Sequence, residues 1–136
     1  MAYLEFYNNS AEVKGRLEQA CNGWLHEAGG ELEAQVKRNT PVDTGQLKSS
    51  WNYTVAEYKQ EAMVGSNLQN AVWNEFGTGE YALHGDGRKG GWYYEDSKGE
   101  GHFTHGKRPQ RSLFYAFASS KNKLQRALES KLKGLR

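Results

Sequence analysis

The sequence predicts an α+β fold: long N- and C-terminal helices packed on a small antiparallel sheet, with a short middle helix and a glycine-rich hairpin excursion. Three observations predict it. Apolar residues recur at three- and four-residue steps over residues 10–39 and again from 112 onward, they alternate over 51–55, and residues 77–108 hold nine of the 16 glycines. At 136 residues the chain has the length of a single α+β domain spanning 1–136, with 77–108 as a flexible hairpin or loop insertion.

The first helix opens at Ser10, whose hydroxyl suits an N-cap. Val13, Leu17, Ala20, Cys21, Trp24, Ala28 and Leu32 form its apolar stripe, with Glu12, Lys14, Arg16 and Glu18 on the wet side. Unbroken to Asn39 it would be about 45 Å long, more than the diameter of roughly 37 Å expected for a globule of this size. Either Gly29-Gly30 bends it or it projects toward a partner. Pro41 ends the helical pattern, and Asp43-Thr44-Gly45 reads as a turn. Trp51, Tyr53 and Val55 alternate with polar or small residues as one strand, and Glu61 to Val64 supplies its partner, closed by Gly65-Ser66-Asn67.

Gln69 to Phe76 is a short helix that places Val72 and Phe76 on one face, stopped by Gly77-Thr78-Gly79. Trp92-Tyr93-Tyr94 and His102-Phe103-Thr104 flank Asp96-Ser97-Lys98-Gly99 as a hairpin. From Ser112, residues Leu113, Phe117, Leu124, Leu128, Leu132 and Leu135 share a narrow arc, opposite Asn122, Lys123, Arg126 and Lys133. This is a basic amphipathic helix.

Charge is unevenly spread. The chain carries 18 Lys and Arg against 16 Asp and Glu, a net charge of +2. Residues 107–136 hold nine of the basic residues and Glu129 alone among the acids, so the segment is +8 and the preceding part −6. Cys21 is the sole cysteine, which rules out an internal disulfide. The longest apolar run, Leu113 to Ala118, is far short of the ~20 residues a spanning helix needs, so no membrane association is expected. No secretory signal is read at the start of the chain.

Four groups of residues invite chemistry. Asp43-Thr44-Gly45 is the tripeptide of an aspartic protease half-site, where two carboxylates in a dimer share a proton. Here it follows a helix and a proline rather than an apolar strand, and a capped turn accounts for the same residues. His26, His84, His102 and His105 lack further ligands of zinc type, and on a strand His102 and His105 would point to opposite faces. Gly77-Thr78-Gly79 and Gly85-Asp86-Gly87 lack the spacing of a phosphate loop. No catalytic residue, metal or cofactor is therefore expected. The basic face formed by Arg111, Lys123, Arg126, Lys133 and Arg136 could neutralise phosphates, or it could pair with Glu27, Glu31 and Glu33 of the first helix.

Four motifs in order carry a family likeness. Residues 41–50, Pro41-Val42-Asp43-Thr44-Gly45-Gln46-Leu47-Lys48-Ser49-Ser50, resemble the P-V-D-T-G-x-L-x-x-S motif of tailed-bacteriophage neck proteins. Val64-Gly65-Ser66-Asn67 is similar to their V-G-S-N, and Glu75-Phe76-Gly77-Thr78-Gly79 to the E-F-G-T-G that closes a helix. Gly106 to Phe117 resembles the element that opens their last helix, although Ser112 and Ala116 stand where prolines are common and Asn70 where an aromatic is usual.

The resemblance implies a virion protein without catalysis or cofactor, assembled in the bacterial host cytoplasm. It implies a ring, of six subunits, in the neck between the portal-side connector or stopper and the tail terminator or tail tube, surrounding the DNA channel. Within it Pro41, Asp43, Thr44 and Gly45 would shape the turn entering the sheet, and Gly65, Glu75, Phe76, Gly77 and Gly79 would complete the structural motifs. Trp92, Tyr93, Tyr94 and Phe103 would form a docking arm for the next ring. The alternatives are a small nucleic-acid-binding module using the terminal helix and, more remotely, the dimeric protease.

Overall fold

The computed structural model describes residues 3–5, 7–42 and 45–135. The elements run α1 (Ser10–Asn39), α2 (Gln46–Ser50), β1 (Asn52–Ala56), β2 (Glu61–Gly65), α3 (Gln69–Phe76), a single 3-10 turn (Gly79–Tyr81), β3 (Trp92–Glu95), β4 (Gly101–Thr104) and α4 (Ser112–Lys133). The fold is α+β with long terminal helices, as the periodicities predict. Each sheet is a two-stranded antiparallel ladder, β1 with β2 and β3 with β4. Among the described residues no helix is long and apolar enough to cross a membrane.

Helix α1 passes through Gly29-Gly30 without interruption, and residues 10–19 are exposed on every side. Of the two outcomes open to an overlong helix, this one projects. Its start differs from the sequence reading. Ser10 is the first helical residue rather than the cap: Asn9 takes the cap position without a side-chain bond, and the Ser10 N–H donates to Asn8 Oδ1 at 3.0 Å.

Register Tyr53↔Val64 and Val55↔Ala62 puts four half-buried residues on one face of the first ladder, while Thr54 and Met63 face water. That face lies against α1, where Tyr53 packs on Gly29. A Cβ at Gly29 would sit 2.5 Å from Tyr53 Cδ2, so glycine is what allows the ring its position.

Trp51 was expected to open the first strand. It instead closes α2, a helix of five residues that is too short to show an apolar period. Its ring is buried, its Nε1–H donates to Thr40 Oγ1 at 2.9 Å, and that hydroxyl donates to the Val36 carbonyl at 2.6 Å. Trp51, Val36, Ala71 and Ala116 form the core, with Leu47, Val64 and Leu113 packed against it.

Helix α4 runs antiparallel to α1, as the contacts Ser112–Asn39, Lys123–Glu31 and Lys131–Glu27 require. Trp24 Nε1–H donates to the Leu124 carbonyl at 2.8 Å. The buried positions of α4 are Ser112, Ala116, Ser120 and Leu124. The expected leucine arc is thus only partly inward, because Phe117 and Leu132 are exposed. Small residues at one-turn spacing let two backbones approach, and this displaces the large ones sideways.

Two neighbouring glycines yield predictions of opposite sign. Gly29→Ala should destabilise the protein by about 1–3 kcal/mol by overpacking Tyr53. Gly30→Ala, whose Cβ would meet Tyr53 at an ordinary 3.8 Å, should stabilise it by up to about 1 kcal/mol through helix propensity. Urea unfolding midpoints of the two variants check both.

Candidate functional site

The third and fourth sequence motifs meet where three helices end. Asn39 ends α1, Asn74 and Glu75 lie in the last turn of α3, and Ser112 begins α4. Asn39 Nδ2 donates to the Ser112 carbonyl at 3.1 Å, and Ser112 Oγ donates back to the Asn39 carbonyl at 3.2 Å. Asn74, fully buried, donates from Nδ2 to Ser112 Oγ at 2.9 Å and accepts at its carbonyl from the Gln110 N–H at 2.7 Å.

Glu75 is 6% exposed. One carboxylate oxygen accepts the Leu113 N–H and the other the Phe114 N–H, each at 2.9 Å. These are orphan donors in the first turn of α4, so a side chain from another helix supplies the cap and sets a negative charge at the positive end of the dipole. Arg111 stands beside it in the left-handed region at φ 57°, with Nε 3.5 Å from Glu75 Oε1 and its guanidinium 4.3 Å from the Phe114 ring centroid.

The segment after Glu75 joins the other side of the excursion. Thr78 N–H donates to the Lys107 carbonyl at 2.9 Å, Lys107 N–H donates to Thr78 Oγ1 at 2.8 Å, and Glu80 N–H donates to the His105 carbonyl at 2.9 Å. Gly77 and Gly79 have φ of 75° and 61°, and a Cβ at either would strike the carbonyls of Lys107 or His105. Glycine is required at both for conformation and for space. Upstream, Ser50 Oγ lies 2.6 Å from Ser66 Oγ, which also accepts the Leu68 N–H. The first motif therefore meets the second, as the third meets the fourth.

Pro41 follows the extended Thr40 that ends α1, and Gly45, at φ 83°, caps α2. Asp43 and Thr44 lie outside the described residues, as does Arg136. Gly65 ends β2 opposite Asn52. Val72 and Phe76 share one face of α3, as expected, and that face is the outward one. Ala71, Asn74 and Glu75 are the helix's buried residues, whereas Val72, Trp73 and Phe76 are exposed. Their outward face lines a groove of about 820 Å³ together with Trp92 and Tyr94 of the hairpin and with His84, whose ring centroid lies 5.5 Å from that of Phe76.

The hairpin pairs Trp92↔Thr104, Tyr93↔Phe103 and Tyr94↔His102. Strand alternation divides its aromatics: Trp92 and Tyr94 line the groove, while Tyr93, 80% exposed, stacks edge-on against Phe103 on the other side. His105 lies beyond the strand and pairs with Glu80, whereas His102 Nε2 sits 2.8 Å from Asp96 Oδ2. Donor atoms of Asp96, Glu100 and His102 lie within 4.8 Å of one another, a grouping that no zinc-type spacing revealed. Asp96 closes the hairpin turn there: its Oδ1 accepts the Lys98 and Glu100 N–H groups, both at 2.9 Å. The His102 hydrogen bond, then the backbone donors, hold the Asp96 carboxyl below its ordinary value of 3.8.

Lys123, Arg126 and Lys133 lie on one side of α4, but not all of the basic set is unengaged. Arg111 belongs to the α4 cap, and Lys123 pairs with Glu31 at 3.3 Å. Lys131, outside the expected set, pairs with Glu27 at 3.4 Å. Arg126 and Lys133 are exposed and make no ion pair among the described residues. Sequence reasoning missed Asn39, Asn74 and Ser112 because an apolar-periodicity argument ignores polar residues. Their one signal was a polar pair, Asn74-Glu75, on a helix otherwise short of charge.

The family model of HK97-gp10-like bacteriophage tail components matches residues 5–77. The chain belongs to this family. No curated protein and no solved structure matches it. The matched stretch takes in α1 through α3, hence the first two motifs and the Glu75 that caps α4, and it stops at Gly77. The hairpin and α4 lie beyond it. Membership makes the chain a component of the phage tail and so of the virion, one that works against other virion proteins.

Two predictions test this geometry. Glu75→Ala should cost about 2–4 kcal/mol by leaving two buried donors unpaired, and Glu75→Gln about half as much, both read from denaturant unfolding. Asp96, with its lowered value, supports the hairpin turn fully above pH 3.8, and that support is lost as pH falls through the lower folded value. Protection of the hairpin amides, followed by NMR on acidification, should fall over that range, and Asp96→Asn should remove the dependence.

Proposed function

We propose that the chain is a neck component that joins the head connector to the tail as an oligomeric ring around the DNA channel. The observation that carries this reading is its surface. The accessible area is 10068 Å², against about 7,200 Å² for a folded monomer of 15.4 kDa. The surplus of roughly 2,900 Å² exceeds the about 800 Å² per face that a subunit gives each of two neighbours in a ring of standard interfaces. The chain is shaped to be covered.

Its parts suit that task. A heterologous contact closes into a ring when its rotation divides a full turn, and six copies is the number we assign. Tyr93 and Phe103, paired on the outer side of the hairpin, would anchor the next ring, toward the connector or stopper on one side and the tail terminator or tube on the other. Aromatics give large contact area for little lost freedom. The motif residues Pro41, Gly45, Gly65, Glu75, Gly77 and Gly79 act as scaffold for these surfaces rather than as partner contacts, while Phe76 faces outward. Lys121, Arg126 and Lys133 are the residues of α4 available for salt-sensitive contact with DNA in the channel. Two of the five basic residues of α4, Lys123 and Lys131, are engaged within the chain, and membership of a tail-component family favours the collar over a nucleic-acid-binding module.

Deleting residues 86–104 should abolish head–tail joining in an assembly assay with purified tails and connectors. The 77–83 segment and its ladder to 105–107 remain, so circular dichroism and the unfolding midpoint should stay near those of the parent. Joining at the parental level by a folded deletion variant would remove the hairpin from the interface.

A further inference from the structure

We propose that the projecting start of α1 docks in the groove between α3 and the hairpin of a second copy of this chain. The stripe of α1 that α4 covers from Ala20 onward continues past its cover: Val13 and Leu17 occupy the same face and are exposed. Just before them Tyr3, Leu4 and Tyr7 are exposed at 80, 93 and 81%. Five large apolar side chains thus extend beyond the body with nothing of their own chain to rest on.

The groove is the complementary feature. Val72, Trp73, Phe76 and Tyr94 line it and are each 39–49% exposed, and its volume of about 820 Å³ suits the apolar edge of a helix. Helix-in-groove recognition uses anchors one turn apart, the spacing of Val13 and Leu17. Charge agrees: Lys107 and Arg88 stand at the groove against Asp86, while Glu5, Glu12 and Glu18 outnumber Lys14 and Arg16 on the projecting segment.

The groove cannot be filled from within. It adjoins the end of α1 through Asn39, Ser112 and Asn74, and Val13 lies 26 residues up that helix from Asn39, about 39 Å away. A continuous helix cannot fold back over that distance. The occupant must come from another molecule, and a copy of this chain carries a fitting segment at its opposite end. Contact between opposite ends is heterologous, the class that builds rings. The docking deepens the collar reading and rests on it only for closure of the ring.

Analytical ultracentrifugation of the full chain tests it with Leu17→Glu and Val72→Glu. Both positions are exposed, so each variant should keep the parental circular dichroism. The parent should self-associate with concentration, and each variant should do so at least about tenfold more weakly, the loss expected for one buried aliphatic side chain. Mixed in equal amounts, they should recover a dimer that grows no further, since one variant keeps a sound groove and the other a sound helix. A mixture that recovers no dimer, or variants that associate like the parent, overturns the docking. So does a parent that stays monomeric to its solubility limit, or a groove that is filled only when tail or connector proteins are added. The joining assay with purified tails decides separately whether the collar reading falls with it.

Discussion

Three helix ends meet inside this protein, and the bonds between them decide where everything else sits. A helix end buried without partners leaves carbonyls or N–H groups unsatisfied, at a cost of about 1–3 kcal/mol for each group. Here the ends satisfy one another. The Asn39 carbonyl of α1 takes the Ser112 hydroxyl, and the first N–H groups of α4 take the Glu75 carboxylate of α3. A buried carboxylate would be costly alone, but Arg111 and the positive end of α4 lie against it. The bonds are directional, so they fix the relative placement of the three helices in a way that apolar contact cannot.

That joint matters more because the apolar core is small. Val36, Trp51, Ala71 and Ala116 include two alanines, and the α1–α4 contact is built on Ser112, Ala116 and Ser120 before it reaches Leu124. Small residues bring backbones together and bury little apolar area, so they give geometry more than driving force. Much of the large apolar surface is left outside, on Val13, Leu17, Val72, Trp73 and Phe76. On the collar reading proposed above, part of that burial is deferred to assembly.

How much of this was legible in the sequence follows from what each signal measures. Periodicity placed α1, α3, α4 and both hairpins, because a repeat of three and four or of two survives wherever one face is dry. It failed for α2, since five residues hold little more than one turn, and Trp51 was absorbed into the strand that follows. On α3 it put Val72 and Phe76 on one face, where they are, but could not tell that this face lies outward and that Ala71, Asn74 and Glu75 are the buried positions. Arg111 was grouped with phosphate-seeking charges for a similar reason, as linear charge counting cannot see a carboxylate 36 positions away in the chain. The E-F-G-T-G motif was visible as a string, but its meaning was not. Its glutamate acts on residues 113 and 114, and its glycines make room for 105 and 107.

Helix α3 links the interior to the surface. One side of it carries Asn74 and Glu75 into the joint, and the other carries Val72, Trp73 and Phe76 into the groove. With only eight residues it has little capacity to bend, so whatever holds its inner side also sets the wall that an incoming segment meets. The opposite wall, on the hairpin, is set by the ladder between 78–80 and 105–107, which begins at the residues directly after Glu75. Both walls are therefore referenced to one carboxylate. Were the proposed docking to occur, its free energy would be coupled to how well that carboxylate keeps its donors. The glutamate and glycines of the motif hold this joint from within, while its phenylalanine, Phe76, is presented at the groove.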